Sequence, residues 1–531
     1  MGGDPKDDDP AGLGGFLSWF ERHGGSMTDI FLEDVGGEMS LSLFTGQALS
    51  RGQLVMSIPI SLCMTAESAA RSGLERVLRA HPDLMDTPDE VLALHLMAEK
   101  QKGEGSFWKE YLRTLPDDVD TPLRWLAEGA QDEFGLLDGT MVGILSKMMH
   151  AQVVKDWEEV HLPLVEAYPE VLGGLMFQDY LWAMSSIWSR SFDYLEPLAD
   201  GSLCSRRAMV PVINAANHDP SAAESLSEMI EFQTEAEGVP NTTGDRENAR
   251  GRLRVVAGRD YRAREQFFIL YGRYSNAKLL YSYGFTLASN PYGGLDYWTR
   301  VPPTDKGLQW KQALLDDNPL TAAQTYDFSG TVRIRGWISP ALLATVRVAQ
   351  LTPDERPMAG KAFNGKMVSP RNEAASLNAL LAGLRRKRTT MGNSADQSAV
   401  GAGDEAKLVI SLQEELERCQ HHRYREMKGE EKGKGKSGDT EASSGGSRGG
   451  GGAAGGTAAG DAASSTPAAV AAAASVKSLR RRVAALRVRL EERAVVTDAI
   501  AALEASLREL QSASSSGVGA AAAFDMLDSR C

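Results

Sequence analysis

The 531 residues carry 57 Lys and Arg against 71 Asp and Glu, a formal net charge of −14, with 42% hydrophobic and 24% charged side chains. That balance argues against a general nucleic-acid binder, which needs a basic surface to displace counterions from phosphates, and no 18-residue apolar run offers a membrane span. Glycine fills 53 positions, about a tenth of the chain against a usual ~7%, and much of the excess lies near the C-terminus, so the folded part is shorter than the whole.

Cys63, Cys204, Cys419 and Cys531 form no C-x-x-C pair, so neither a disulfide framework nor a cysteine zinc site has its spacing, and a reducing compartment is expected. The acidic start MGGDPKDDDP lacks both an apolar signal core and the Arg/Ser-rich composition of a transit peptide. Lys6 stands where a myristoylation signal wants Ser or Thr. Cytoplasm or nucleus is expected, with a plastid as the alternative if the true N-terminus is missing.

Residues 1–12 read as disordered, and FLSWFERHG as a helix closed by Gly24 and Gly25. LSLF and QLVMSIP read as strands. Between Ala66 and about Ser191 the periods become helical: Trp108, Tyr111 and Leu112 share a face of a helix that stops before Pro116. A second β-rich stretch runs from Met209 to Tyr271. Leu253, Val255 and Ala257 alternate with Arg252 and Arg254, and EQFFILYG, apolar on both faces, predicts a fully buried strand ended by Gly272. Ser275 is an N-cap candidate for NAKLLYSYGF, in which Leu279, Leu280 and Tyr283 share a face. VRIRGW then reads as a strand, and SPALLATVRVAQL as a helix with Ser339 as N-cap and Pro340 at its first position.

Residues 429–475 hold few large apolar groups and are expected to be a disordered linker. A last helix, 476–512, carries Leu479, Val483, Leu486 and Leu490, then Val496, Ile500, Leu503, Leu507 and Leu510, a stripe broken around Arg493. The break favours packing on its own domain over a coiled coil. Arg480, Arg481, Arg482, Arg487 and Arg489 read as a solvated face, and 513–531 as a disordered tail.

No phosphate loop or H-E-x-x-H occurs, no G-x-G-x-x-G follows a strand, and the G-x-S-x-G match GGSRG at 445–449 lies in the glycine-rich linker rather than on a strand-to-helix turn. His421 and His422 face apart on a helix and make a poor metal pair, while His23, His81, His95, His150 and His161 read as structural. Density of polar and aromatic groups is highest in two places: MVPVINAANHDP, and ILYGRYSNAKLLYSYGF with Tyr271, Tyr274, Tyr281 and Tyr283 inside thirteen positions. Buried tyrosines need partners for their hydroxyls, so the residues alone leave either a polar pocket or a tyrosine-rich core with an Asn-His turn.

NHDP at 217–220, EQFFILYGRYSNAKLLYSYGF at 265–285 and Asn290-Pro291 resemble the two closing motifs of SET-domain methyltransferases, of the branch related to the Rubisco large-subunit methyltransferases. FLSWFERHGG and QALSRGQLVMSIPISLCMT resemble that branch's opening helix and first strands, GSFWKEYLRTLPDDVDTPLRW its helical insert, and SPALLATVRVAQL and AALRVRLEERAVV its C-terminal domain. The resemblance implies an α+β architecture. A β-rich SET fold (13–292), threaded as a pseudoknot and split by a helical insert at about 66–191, would be followed by an all-helical substrate-binding domain at 293–428, completed by the 476–512 helix.

The implied activity is methyl transfer from S-adenosyl-L-methionine to lysine in a protein substrate, by a monomer, with no metal, nucleic acid or membrane involved. Asn217 and His218 would hold the cofactor's adenine, and Arg190 of SRSF would line the same pocket. Ser42, Leu43 and Asn214 occupy further cofactor-motif positions. Tyr283 would be the active-site tyrosine and Tyr271 a second aromatic wall of the lysine channel. Two departures stand out. Ser40-Leu41-Ser42-Leu43 replaces a G-x-G-L turn, whose glycines let backbone approach a ligand, and Asn214 replaces an Asp. They leave open a noncatalytic SET-like interaction module, beside a histidine-directed methyltransferase. The histidine-directed relative lacks the aromatic residue that this chain keeps as Tyr283, so lysine is expected.

Overall fold

Phe16, Trp19 and Phe20 bury on one side of the first helix, Leu13–Arg22, and Gly24 leaves it at φ +85°, a conformation that favours glycine. The computed structural model describes residues 13–35, 41–198, 200–234, 251–297, 299–322, 331–333, 338–392, 404–419 and 467–516. The expectations for 1–12, Ser40, His421, His422 and most of the linker and tail lie outside them.

A four-stranded antiparallel sheet runs in the order Ser26–Met27, Leu54–Pro59, Gly251–Val256, Ile230–Thr234. The expected alternation holds there, with Leu253 and Val255 buried. A second sheet pairs Ser191–Pro197 with Leu203–Met209, and Leu203–Met209 with Met64–Thr65. Between the first strands and this sheet the chain is helical from Ala66–Ala70 to Phe177–Arg190. One hydrophobic core joins these helices to the sheets, with Leu94, Tyr111 and Tyr180 alongside Met56, Leu253 and Phe267.

The run EQFFILYG is not the continuous strand its composition predicts. Only Phe268–Ile269 is a strand, because its parallel partner Asn217–His218 is itself two residues long. On the other side of the segment the Phe267 amide donates to the Leu43 carbonyl at 2.8 Å and the Arg264 amide to Thr45 at 2.8 Å. The segment thus lies between two chain stretches far apart in sequence. Such a sandwiched segment fits the pseudoknot expected above, an exception to the rule that connections do not thread.

Gly294–Asp296 pairs with Thr331–Arg333, shorter than the strand expected from VRIRGW, whose remaining residues 334–337 are not described. Ser339 caps Pro340–Ala349 by accepting from the Leu342 amide, with Pro340 at the first position. Inside this helical part Arg347 donates to both carboxylate oxygens of Glu373 at 2.8 Å, the side chains 4% and 0% exposed.

The terminal helix departs from expectation in three ways. It spans Pro467–Ser516, entering the stretches assigned to linker and tail, since PAAVAAAAS is rich in the strongest helix former. It does not pack on its own domain alone: Ala484, Ala485 and Val488 bury against Trp125, Phe134 and Val142, and against Ala277 and Leu280, whereas Val495, Val496, Ala499 and Ile500 bury against Leu377, Leu381 and Leu384. The break at Arg493 is where the helix changes partners. Its arginines are not a single solvated face either: Arg482 is exposed, but Arg481 and Arg489 are buried. Arg481 is 6% exposed and pairs with Asp120 and Glu128, and Arg489 is 1% exposed and donates to the Met391 carbonyl.

Among the described residues no helix is long and apolar enough to cross a membrane. Removing one partner of a buried pair strands the other charge, so Glu373→Ala should cost about 3–5 kcal/mol of unfolding free energy, read as a lower denaturation midpoint, while the exposed Arg76–Glu170 pair should be worth under about 1 kcal/mol by the same measurement.

Candidate active site

The chain reaches the site through a strained turn. Val212 sits at φ 69°, ψ −56°, and the Ile213 amide donates to the Pro211 carbonyl at 2.9 Å, closing a γ-turn of the rare hand. A β-branched residue holds this conformation only where its surroundings enforce it, and Val212 is buried in the main core. The reversal leads into the short helical turn Ile213–Ala215 and then the strand Asn217–His218.

Around that strand the polar groups interlock. Asn217 Nδ2 donates to Ser42 Oγ at 2.9 Å. Arg190, the last residue of Phe177–Arg190, donates from a terminal guanidinium nitrogen to the Asn214 carbonyl at 2.8 Å, and Asn214 Nδ2 donates to the Tyr111 hydroxyl at 2.9 Å. Tyr271 donates its hydroxyl to the Ala216 carbonyl at 2.9 Å, while its amide donates to His218 Nδ1 at 3.2 Å. The Tyr271 ring lies 5.1 Å from that of His218 and 4.8 Å from that of Tyr283, with Tyr274 6.1 Å and Phe285 6.3 Å from Tyr283.

Burial controls the electrostatics of this cluster. It pushes the Tyr283 and Tyr111 hydroxyls well above the ordinary phenol range and raises that of Tyr271, so all three stay protonated at neutral pH. It lowers the Arg190 guanidinium, against the pull of Tyr271 and Tyr111, and lowers His218 against the Ile269 backbone and Asp219. Arg190 Nε and His218 Nε2 are buried with no hydrogen-bond partner in the structure. A cation and an imidazole flanking one tyrosine, each with spare hydrogen-bonding capacity, suit a polar ligand carrying acceptors. Among the described residues no three His, Cys, Asp or Glu side chains gather as a metal site would require.

Residues 302–428 match the family model described as Rubisco LSMT substrate-binding. The chain superposes on the crystal structure of the SET domain of LSMT bound to lysine and AdoHcy with a TM-score of 0.62 at 17% identity, covering 95% of this chain and 93% of that one. The chain has the SET fold. Rubisco LSMT bound to AdoMet is similar at a TM-score of 0.57 and 17% identity, over 94% and 93% of the two chains. Among curated proteins the human actin-histidine N-methyltransferase is 25% identical over 344 residues, 64% of this chain and 52% of that protein. The Xenopus tropicalis protein of the same name is 26% identical over 64% of this chain and 54% of its own length. The chain therefore spans about half the length of the curated relatives it matches.

Within the SET fold, Ser42, Asn217, His218, Tyr271 and Tyr283 come together; Arg190 acts on Tyr271 and holds the Asn214 carbonyl, and the Asn214 side chain in turn bonds Tyr111. Leu43 contributes differently: its side chain is fully buried in the core, and its carbonyl holds the threading segment. Tyr111 is the member that sequence reading missed. It lies on the helical insert and was legible only as one apolar face of a helix; nothing local marks its hydroxyl as the partner of an asparagine 103 residues away.

His218 also gives the site a pH signature. A histidine whose folded value is depressed contributes stability that is present above its ordinary ~6.5 and lost as the pH falls below it. Thermal melts from pH 7.5 to 5.0 should therefore decline more steeply for the wild type than for His218→Gln; parallel curves would remove His218 as a cause.

Proposed function

We propose that the chain is an S-adenosylmethionine-dependent protein methyltransferase acting on a lysine side chain. The observation that carries this reading is the stack of Tyr271 between His218 and Tyr283, with Asn217 and Arg190 beside it. In this reading Asn217 and His218 hold the adenine end of the cofactor, and Arg190 lies near its charged end. When bound, S-adenosylmethionine supplies a methyl group made electrophilic by its sulfonium.

The protein's own residues then have three tasks. Tyr271, Tyr274, Tyr283 and Phe285 form aromatic walls that strip water from an incoming side chain, and desolvation lowers the pKa of a lysine, favouring the neutral amine that attacks. Their packing confines the nitrogen to one approach, which in-line displacement requires. Tyr283 presents a phenolic oxygen, an acceptor for the polarised methyl C–H bonds. Held protonated by burial, Tyr283 is not the base that takes the ammonium proton. That proton leaves to solvent before transfer, so turnover rises with pH.

Ser42 qualifies the noncatalytic alternative. Its hydroxyl is engaged by Asn217, so the residue that replaces a glycine organises a proposed cofactor residue. The curated relatives named for actin-histidine methylation support a second reading, with histidine as the acceptor. The retained Tyr283, and the lysine-bound LSMT structure that the fold resembles, favour lysine.

S-adenosylmethionine or S-adenosylhomocysteine at a hundred times its Kd should stabilise the protein by about 2.7 kcal/mol, seen as a raised melting temperature; no shift at millimolar ligand would sink the enzyme reading in favour of the interaction module. With isotopically labelled cofactor and a cell lysate, mass spectrometry should find label on lysine. Label on histidine alone would transfer the proposal to the second reading. Tyr283→Phe should lower the rate by roughly a hundredfold while leaving the ligand-induced thermal shift in place; unchanged turnover would deny Tyr283 its role.

A further inference from the structure

Two adjacent carboxylates on the terminal helix meet two helix N-termini in the SET part. Glu492 accepts from the Met141 amide at 2.9 and 3.1 Å, at the first residue of Met141–Asp156. Glu491 Oε2 accepts from Asn276 Nδ2 at 2.7 Å, and Oε1 from the amides of Gly294 at 3.1 Å and Asn276 at 3.4 Å. Asn276 is the first residue of Asn276–Tyr283, the helix that ends on the proposed active-site tyrosine. A negative charge at a helix N-terminus satisfies free amides and opposes the dipole there.

Asn276 also closes the far side of that element. Its Nδ2 donates to the Leu287 carbonyl at 3.0 Å, and its Oδ1 accepts from the Leu287 amide at 2.8 Å. The stretch from 276 to 287, with Tyr283, Gly284 and Phe285, is therefore tied at both ends to one asparagine, which Glu491 holds. The terminal helix grips the same stretch a second time. Gly284 sits at φ +82° with the Asp120 carbonyl 2.8 Å from where a Cβ would stand, and Asp120 is fixed by Arg481 Nε at 2.7 Å.

We propose that Glu491 is a positioning residue for methyl transfer, acting through Asn276 to fix the helix that presents Tyr283. The terminal helix is then part of the active site's support, though more than two hundred residues separate Glu491 from Asn276. The proposal rests on the methyltransferase reading for its kinetic consequence, and on geometry alone for its structural one.

The test compares the full chain with Glu491→Ala, Glu491→Gln and, as a control on the same helix, Glu492→Ala, all assayed well below their melting temperatures. Glu491→Ala should lower kcat roughly ten- to a hundredfold while the KM for S-adenosylmethionine stays within about threefold. Glu491→Gln, which keeps one acceptor oxygen, should recover part of the rate. Glu492→Ala should melt earlier yet keep kcat within about threefold. Hydrogen exchange should show faster exchange over 276–287 in Glu491→Ala and wild-type protection there in Glu492→Ala. Wild-type kcat and protection in Glu491→Ala would overturn the proposal, as would equal losses in the two alanine variants, which would reduce Glu491 to general helix docking. If the wild type transfers no methyl to any protein, the methyltransferase reading fails by itself, and the exchange measurement still decides whether Glu491 positions the helix.

Discussion

Everything at the site depends on where the backbone of residues 264–271 finds its hydrogen-bond partners. A buried chain segment must satisfy its amides and carbonyls. This one does so against Leu43 and Thr45 on one side and against Asn217 and His218 on the other. Those contacts bring the opening strands, the Asn-His pair and Tyr271 to one place. Phe267 and Ile269 anchor the segment in the core, so displacing it would expose apolar surface and leave polar backbone unpaired together.

A second constraint is burial without a counter-charge. Arg190 is held by a backbone carbonyl and faces two tyrosines whose hydroxyls burial keeps neutral. The region has the unpaired donors and aromatic faces that the proposed nucleoside-bearing cofactor would engage. In the helical part Arg347 and Glu373 are instead buried as a pair, which marks a different task there: holding shape rather than meeting a ligand.

Local signals were legible where a single element makes the decision. Ser275 and Ser339 cap the helices their positions suggest because an N-cap needs only a hydroxyl two or three residues before an amide. The alternation of Leu253 and Val255 shows in the strand for the same reason. Expectation failed where the partner decides. EQFFILYG has the composition of a long strand, but strand length is set by how many residues lie alongside. The arginines of the terminal helix look like a solvated face until Asp120, Glu128 and the Met391 carbonyl are brought to them from other elements.

The amino-acid sequence by itself determined the periodicities, the caps, the absence of metal-ligand spacing and the residues of the Asn-His and tyrosine motifs, since each of these is a property of neighbours along the chain. Only the tertiary structure decided that Tyr111 would bond Asn214, that Ser42 would engage Asn217, and that Glu491 would reach the helix bearing Tyr283. Those contacts join residues between 103 and 215 positions apart. Hydrogen bonds are selective over a few tenths of an ångström, a precision that comes from packed elements rather than from local pattern.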